Sequence, residues 1–233
     1  MVKGLRLAAV AVLGLLGACT RPVDDPLAAH SIYWGLAPMP DYEGPLPEVL
    51  WSADDTPAYQ PLLYTAMAEA EVAAQYAGRA LAAEDPARAR GALGEVLYAI
   101  DPGAAPAWDA KSAGIVRGWA GKGYGLRRAA AEMAGRIRAA AGGEGAAGFA
   151  DGALPAARCA DNTLERADRI VLLSREAFGA AANRSQALLQ QIQAVANQLN
   201  QGAAASADAQ AADPGCGLQQ AKRYLDRLAP RRS

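Results

Sequence analysis

Between Leu63 and Leu228 apolar side chains recur every three or four positions, and the spacing breaks where capping or helix-stopping residues stand. Leu63, Met67, Ala70, Ala74, Ala77 and Leu81 share one helical face. Thr56-Pro57 reads as its start, an N-cap followed by proline at the first helical position, and the end falls near Ala83. Asp85-Pro86 repeats that signal ahead of Ala89, Leu93, Val96, Leu97 and Ile100, and Asp101-Pro102-Gly103 stops the run. A third helix spans about Tyr124 to Ala141, with Ala130, Met133, Ala134 and Ile137 inward, and ends at Gly142-Gly143. Residues 142–153 read as a small-residue loop, and Pro155 opens a fourth helix carrying Leu164, Ala167, Val171 and Phe178. Gly179 suits a stop, with Asn183 or Ser185 as the next cap. The fifth helix has the cleanest stripe, Leu188, Ile192, Val195 and Leu199, a four-three-four spacing typical of a helix–helix seam. Its other face, Gln190, Gln193, Asn197, Asn200 and Gln201, is uncharged and reads as solvent-exposed. A last helix after Cys216 carries Leu218, Ala221, Leu225 and Leu228, and Pro230 ends it.

No stretch alternates with the period of two that a strand requires. The predicted class is therefore all-α, an antiparallel bundle of about five or six helices over residues 56–230. Residues 19–55 form a tether and strap. Pro38, Pro40, Pro45 and Pro47 oppose regular helix, yet Ile32, Tyr33, Trp34, Tyr42, Val49, Leu50 and Trp51 lie among them. A solvated linker is poor in aromatics, so 31–56 reads as an extended strap packed across the bundle, or else as an exposed recognition segment.

The first eighteen residues have a different logic. Lys3 and Arg6 precede Leu7–Leu16, apolar apart from Gly14 and too short to span a bilayer. Gly17 and Ala18 follow, the order of a secretory signal peptide. Leu16-Gly17-Ala18-Cys19 resembles the lipobox of bacterial lipoproteins. The resemblance implies a diacylglyceryl group on the Cys19 thiol, removal of residues 1–18 and acylation of the new terminus with palmitate-type chains. Such chains contribute ~0.8 kcal/mol per buried methylene, and several on one residue anchor firmly. In that family an Asp after the cysteine favours the inner membrane, so Thr20 implies the periplasmic face of the outer membrane.

If Cys19 is acylated, Cys159 and Cys216 remain, and in an oxidising compartment a disulfide is the default. The bond constrains the fold. A straight helix through residues 155–200 would carry Gln201 ~63 Å from Cys159, and residues 202–215 stretch at most ~50 Å. Closing the bond demands an antiparallel hairpin near Gly179.

Net charge is −1, which gives no general affinity for nucleic acid, but its distribution is uneven. Residues 20–101 hold 13 acidic and 4 basic side chains, residues 102–159 hold 4 acidic and 8 basic. Either the two parts face each other in one bundle or both are solvated faces.

The catalytic inventory is thin. The single histidine is His30, in the tether. No Ser-His-Asp or Cys-His pair can be assembled, and neither Cys-x-x-Cys nor His-Glu-x-x-His occurs. Gly121-Lys122-Gly123-Tyr124-Gly125 matches no phosphate-loop spacing. Arg117, Lys122, Arg127 and Arg128 nevertheless cluster around Trp119 and Tyr124 at a predicted helix start, where amides and guanidiniums could hold phosphate or carboxylate. The competing reading pairs them with acids of the first two helices. Glu69, Glu71, Glu84, Asp85 and Glu95 could supply a bundle metal site, but the Glu-x-x-His motifs of di-iron bundles are missing and a solvated face is preferred. The helical half loosely resembles histidine-rich periplasmic bundles that bind metal ions, through Ala-rich paired helices such as Ala89 to Asp101 and Tyr124 to Ala141. Those proteins place histidines along the helices, and this chain has none there, so no ligand carries over. No metal or cofactor is expected. The expected function is a non-enzymatic envelope lipoprotein, partnered by the bilayer through Cys19 and by another envelope protein. The alternative is a small-ligand or ion-binding protein with an anion at Arg117–Arg128.

Overall fold

A computed structural model describes residues 46–51, 53, 56, 60–104, 124–143, 146–203 and 215–228. The signal peptide, Cys19, His30, residues 31–45 of the strap, Trp108, Arg117, Trp119, Lys122 and Pro230 lie outside the described residues. Among those described, seven α-helices and no strand occur: α1 Pro47–Leu50, α2 Leu62–Ala82, α3 Pro86–Ile100, α4 Leu126–Ala141, α5 Ala147–Gly179, α6 Ala182–Gln201 and α7 Leu218–Asp226. Short turns join α2 to α3, α4 to α5 and α5 to α6, and each of these pairs packs side by side as an antiparallel hairpin. The all-α antiparallel bundle is the architecture observed.

α2 is the central helix, packed on α1, α3, α4, α6 and α7. Its inner face is nearly all alanine, with Ala66, Ala70, Ala73, Ala77 and Ala80 buried, so neighbouring backbones approach closely. Leu62 and Leu63 fill its first turn.

The predicted boundaries hold at α3. Asp85 caps it by accepting from Ala87 N at 3.1 Å and Arg88 N at 3.3 Å. At its end Asp101 leaves the helix and accepts from Gly103 N at 3.0 Å.

Two predicted starts are corrected. α2 begins at Leu62, not after Thr56. Thr56 is buried, and its hydroxyl lies 2.6 Å from Ala53 O and 2.5 Å from Gln60 O. Pro61 is the reason: it disfavours helical geometry at Gln60 and has no N–H to continue a helix begun at Pro57. α5 begins at Ala147, with Pro155 inside it, so the expected loop 142–153 shrinks to the turn before Ala147. Tertiary packing holds those first turns. Ala153, Ala156 and Ala157 are buried, and Leu228 sits so close over Gly152 that a Cβ there would lie 2.6 Å from its Cδ2.

Smaller differences follow the same logic. α4 starts at Leu126 after an extended Gly125, leaving Tyr124 buried just ahead of it. Neither Asn183 nor Ser185 caps α6, which starts at Ala182 with no side-chain cap. α7 ends at Asp226, before Leu228. In the strap, Pro47–Leu50 is a short helix rather than extended chain, with proline at its first position where no N–H is needed. Leu46, Val49 and Leu50, near the C-terminal end of the strap, are buried against the bundle.

The fold-back after Gly179 is present at Ala180-Ala181, and it closes the disulfide geometry. Cys159 and Cys216 are bonded, 5.1 Å apart at Cα and fully buried. Leu188, Ile192, Val195 and Leu199 of α6 are all buried, as the stripe predicts. The amide face is not wholly solvated, since Asn200 is buried and bonded to Met67 O. α6 is covered on two sides, by α5 and by α2.

Candidate functional site

The end of α3, the start of α4 and the middle of α5 enclose a cleft of about 420 Å3. Ile100, Pro102, Ala131 and Leu164 supply apolar wall, and Asp101, Arg127, Arg128 and Asp168 supply the charge. Gly125 permits the close crossing. A Cβ there would stand 2.7 Å from Pro102 Cδ and 2.9 Å from Ile100 O. With glycine as N-cap and no acidic residue in its first turn, α4 presents its first amides without side-chain acceptors of its own.

Both described arginines of the candidate anion set are engaged by carboxylates. Arg127 Nη1 meets Asp101 Oδ2 at 2.5 Å and its Nε meets Asp168 Oδ1 at 2.8 Å. Arg128 Nε meets Glu132 Oε1 at 2.8 Å and its guanidinium lies 4.3 Å over the Tyr124 ring. The Tyr124 hydroxyl donates to Glu132 Oε2, so one carboxylate ties the buried ring to the arginine above it. Three carboxylates face two guanidiniums, which leaves these five side chains at a formal −1. An anion entering the cleft competes with Asp101 and Asp168 for Arg127.

Charge pairing joins the basic middle of the chain to both flanks. Arg127–Asp101 and Arg136–Glu48 reach back to the acidic first half, while Arg127–Asp168 and Arg138–Asp161 reach forward to α5. These arginines are 42 to 57 % exposed, so each pair contributes little to stability.

The acidic residues weighed as metal ligands separate. Glu84 and Asp85 are exposed and Glu71 is half-buried, but Glu69 and Glu95 are buried. The solvated-face expectation is corrected for those two, because α2 is covered on several sides and the second half of α3 is buried nearly all round. Burial pushes the Glu69 carboxyl up to about 8. Among the described residues no group of three or more His, Cys, Asp or Glu side chains is placed to hold a metal ion. No helix among them is long and apolar enough to cross a membrane.

Arg166 is a further polar anchor of the fold. It sits beside the disulfide with its guanidinium on backbone carbonyls of two segments. An arginine on the polar side of an amphipathic helix carries no signal for such contacts.

Comparison with protein-family models, with characterised proteins and with solved structures finds no match to this chain.

Proposed function

We propose that the chain is a lipid-anchored protein of a bacterial cell envelope, without enzymatic activity, that binds or supports another envelope component. The acyl chains sit on Cys19, and the helical bundle faces the periplasm from the outer membrane. Cysteine usage carries the reading. Cys159 and Cys216 satisfy each other in a buried bond, which suits an oxidising compartment. The remaining cysteine is Cys19, directly after Leu16-Gly17-Ala18 and the apolar run. Most apolar side chains of the stripes lie in the bundle's own core, and among the described residues no helix is long and apolar enough to cross a membrane.

The test is the mass of the processed protein from a bacterial host, with a Cys19→Ser variant alongside. The expected product begins at Cys19, carries acyl groups and sediments with outer membranes, while Cys19→Ser is neither acylated nor processed. A bare Cys19 thiol or cleavage at another bond overturns the reading. Cross-linking in intact envelopes then tests the partner role, which requires a reproducible protein adduct.

A second reading, a small-anion site, rests on the cleft at the start of α4. Phosphate added to the purified bundle would raise its Tm, and Arg127→Ala with Arg128→Ala would remove the rise. No rise in the parent protein ends that reading.

A further inference from the structure

The corner where α6 ends and α7 begins is held by more than two sulfurs. Arg166 Nη1 donates to Cys216 O at 2.8 Å and to Gln198 O at 3.3 Å, and its Nη2 donates to Gly215 O at 3.0 Å. One guanidinium thus gathers an end carbonyl of α6 and two carbonyls of the approach to α7. Ala203 N donates to Gly215 O at 2.6 Å across the same corner. Gly217 lies against the end of α6 so closely that a Cβ would be 2.5 Å from Gly202 N. Its own N–H donates to Gln220 Oε1 at 2.9 Å. Beyond it Leu218, Ala221 and Leu225 are fully buried. None of these contacts needs the S–S bond.

We infer that Arg166, rather than the disulfide, positions α7, and that docked α7 shields the disulfide from external thiols. The cross-link acts chiefly on the unfolded chain, whose freedom it restricts across a separation of 57 residues. It does not choose where α7 lies; the carbonyl clamp and the three apolar side chains do. Both sulfurs are buried, so a dithiol reductant reaches them only when α7 lifts. Its thiolate then attacks one sulfur, forms a mixed disulfide and releases the other as a thiolate. The second thiol of the reagent closes on the first, leaving two protein thiols and an oxidised reagent. Arg166 is a positioning residue in this scheme, because it acts on backbone and touches neither sulfur in the contacts described.

Amide hydrogen exchange at Ala221 and Leu225, followed in a disulfide-free Cys159→Ala/Cys216→Ala protein, tests the inference. Those amides are expected to stay protected, within about tenfold of the bonded protein, and Arg166→Ala in that background is expected to reduce protection at least about tenfold further. In the bonded protein Arg166→Ala is expected to speed reduction by dithiothreitol about tenfold, with exchange in α2 unchanged as a control for the bundle. Arg166→Lys recovers part of the effect, since a point charge keeps fewer of the three carbonyls. Exchange of α7 at unfolded-chain rates in the disulfide-free protein with Arg166 present overturns the inference. So does failure of that protein to fold, or an Arg166→Ala protein in which exchange and reduction are both unchanged.

Discussion

Asn200 Nδ2 donates a 3.0 Å hydrogen bond to the Met67 carbonyl, joining the last turn of α6 to the second turn of α2. Gln193 and Gln186 stand one and two heptads earlier on the same face of α6. Gln193 abuts Gly78, and Gln186 Nε2 lies 3.5 Å from Leu81 O. Repetition every seven residues is the period of a paired-helix seam, and Asn200 and Gln186 each reach a carbonyl of α2 at one height only, while Gln193 packs against Gly78 and bonds Asn197 within α6. Asn200→Ala should therefore cost about 1 to 2 kcal/mol, read as a lower urea midpoint at constant slope. An unchanged midpoint would show that the apolar stripe alone sets the register.

Glu69 makes stability depend on pH. Its carboxyl, 6 % exposed, is raised by burial from 4.5 to about 8. Below pH 4.5 both folded and unfolded chains hold the proton. Between 4.5 and 8 the unfolded chain releases it while the folded one retains it, so stability falls by up to about 1.4 kcal/mol per pH unit. Above 8 the folded chain ionises too and the loss levels off. Glu69→Gln should be more stable than the parent at pH 8 and should flatten this slope. Denaturant titrations at four pH values decide it, and parallel curves for the two proteins would refute the assignment.

Gly217 and Gly202 share one crowded crossing. Gly202 adopts φ +83°, and a Cβ on it would meet Gly215 O at 2.2 Å. A Cβ on Gly217 would meet Asn200 O at 2.7 Å and Leu199 O at 2.8 Å, all backbone atoms that cannot swing aside. Gly217→Ala should destabilise by about 2 to 4 kcal/mol, by the strain of forced overlap. Its Tm relative to the parent is the measurement. By contrast Gly135→Ala, where nothing lies within 4 Å, should stabilise by about 0.5 to 1 kcal/mol.

Pro155 interrupts the hydrogen-bond ladder of α5 by lacking an N–H for the Asp151 carbonyl. Pro155→Ala restores that donor, and the expected gain is about 1 to 3 kcal/mol. Thermal unfolding followed by circular dichroism checks it. A lower Tm would show that the packing around α5 depends on the proline ring.

Much of the bundle is legible from local signals, because caps and stops act through neighbouring residues. Asp85-Pro86, Asp101-Pro102-Gly103 and the break after Gly179 all stand where the sequence puts them. The misreadings arise where a distant contact outweighs a local one. Pro155 reads as a start, yet Leu228 and the alanines carry α5 past it. Glu69 reads as solvated, but α2 is enclosed by five other helices, a fact of topology that no window of sequence contains. At the cleft, Arg127 and Arg128 are legible as a cluster at a helix start. Arg128 pairs within α4, with Glu132, but Arg127's partners Asp101 and Asp168 belong to α3's end and α5, and only the three-dimensional arrangement brings both to one guanidinium.

The covalent ring from Cys159 to Cys216 encloses the whole of α6 and the turn at Ala180-Ala181. A single protease cut in that turn therefore releases no fragment: both pieces migrate together on a non-reducing gel and separate only after the sulfurs are parted. One nick in that turn is survivable by construction.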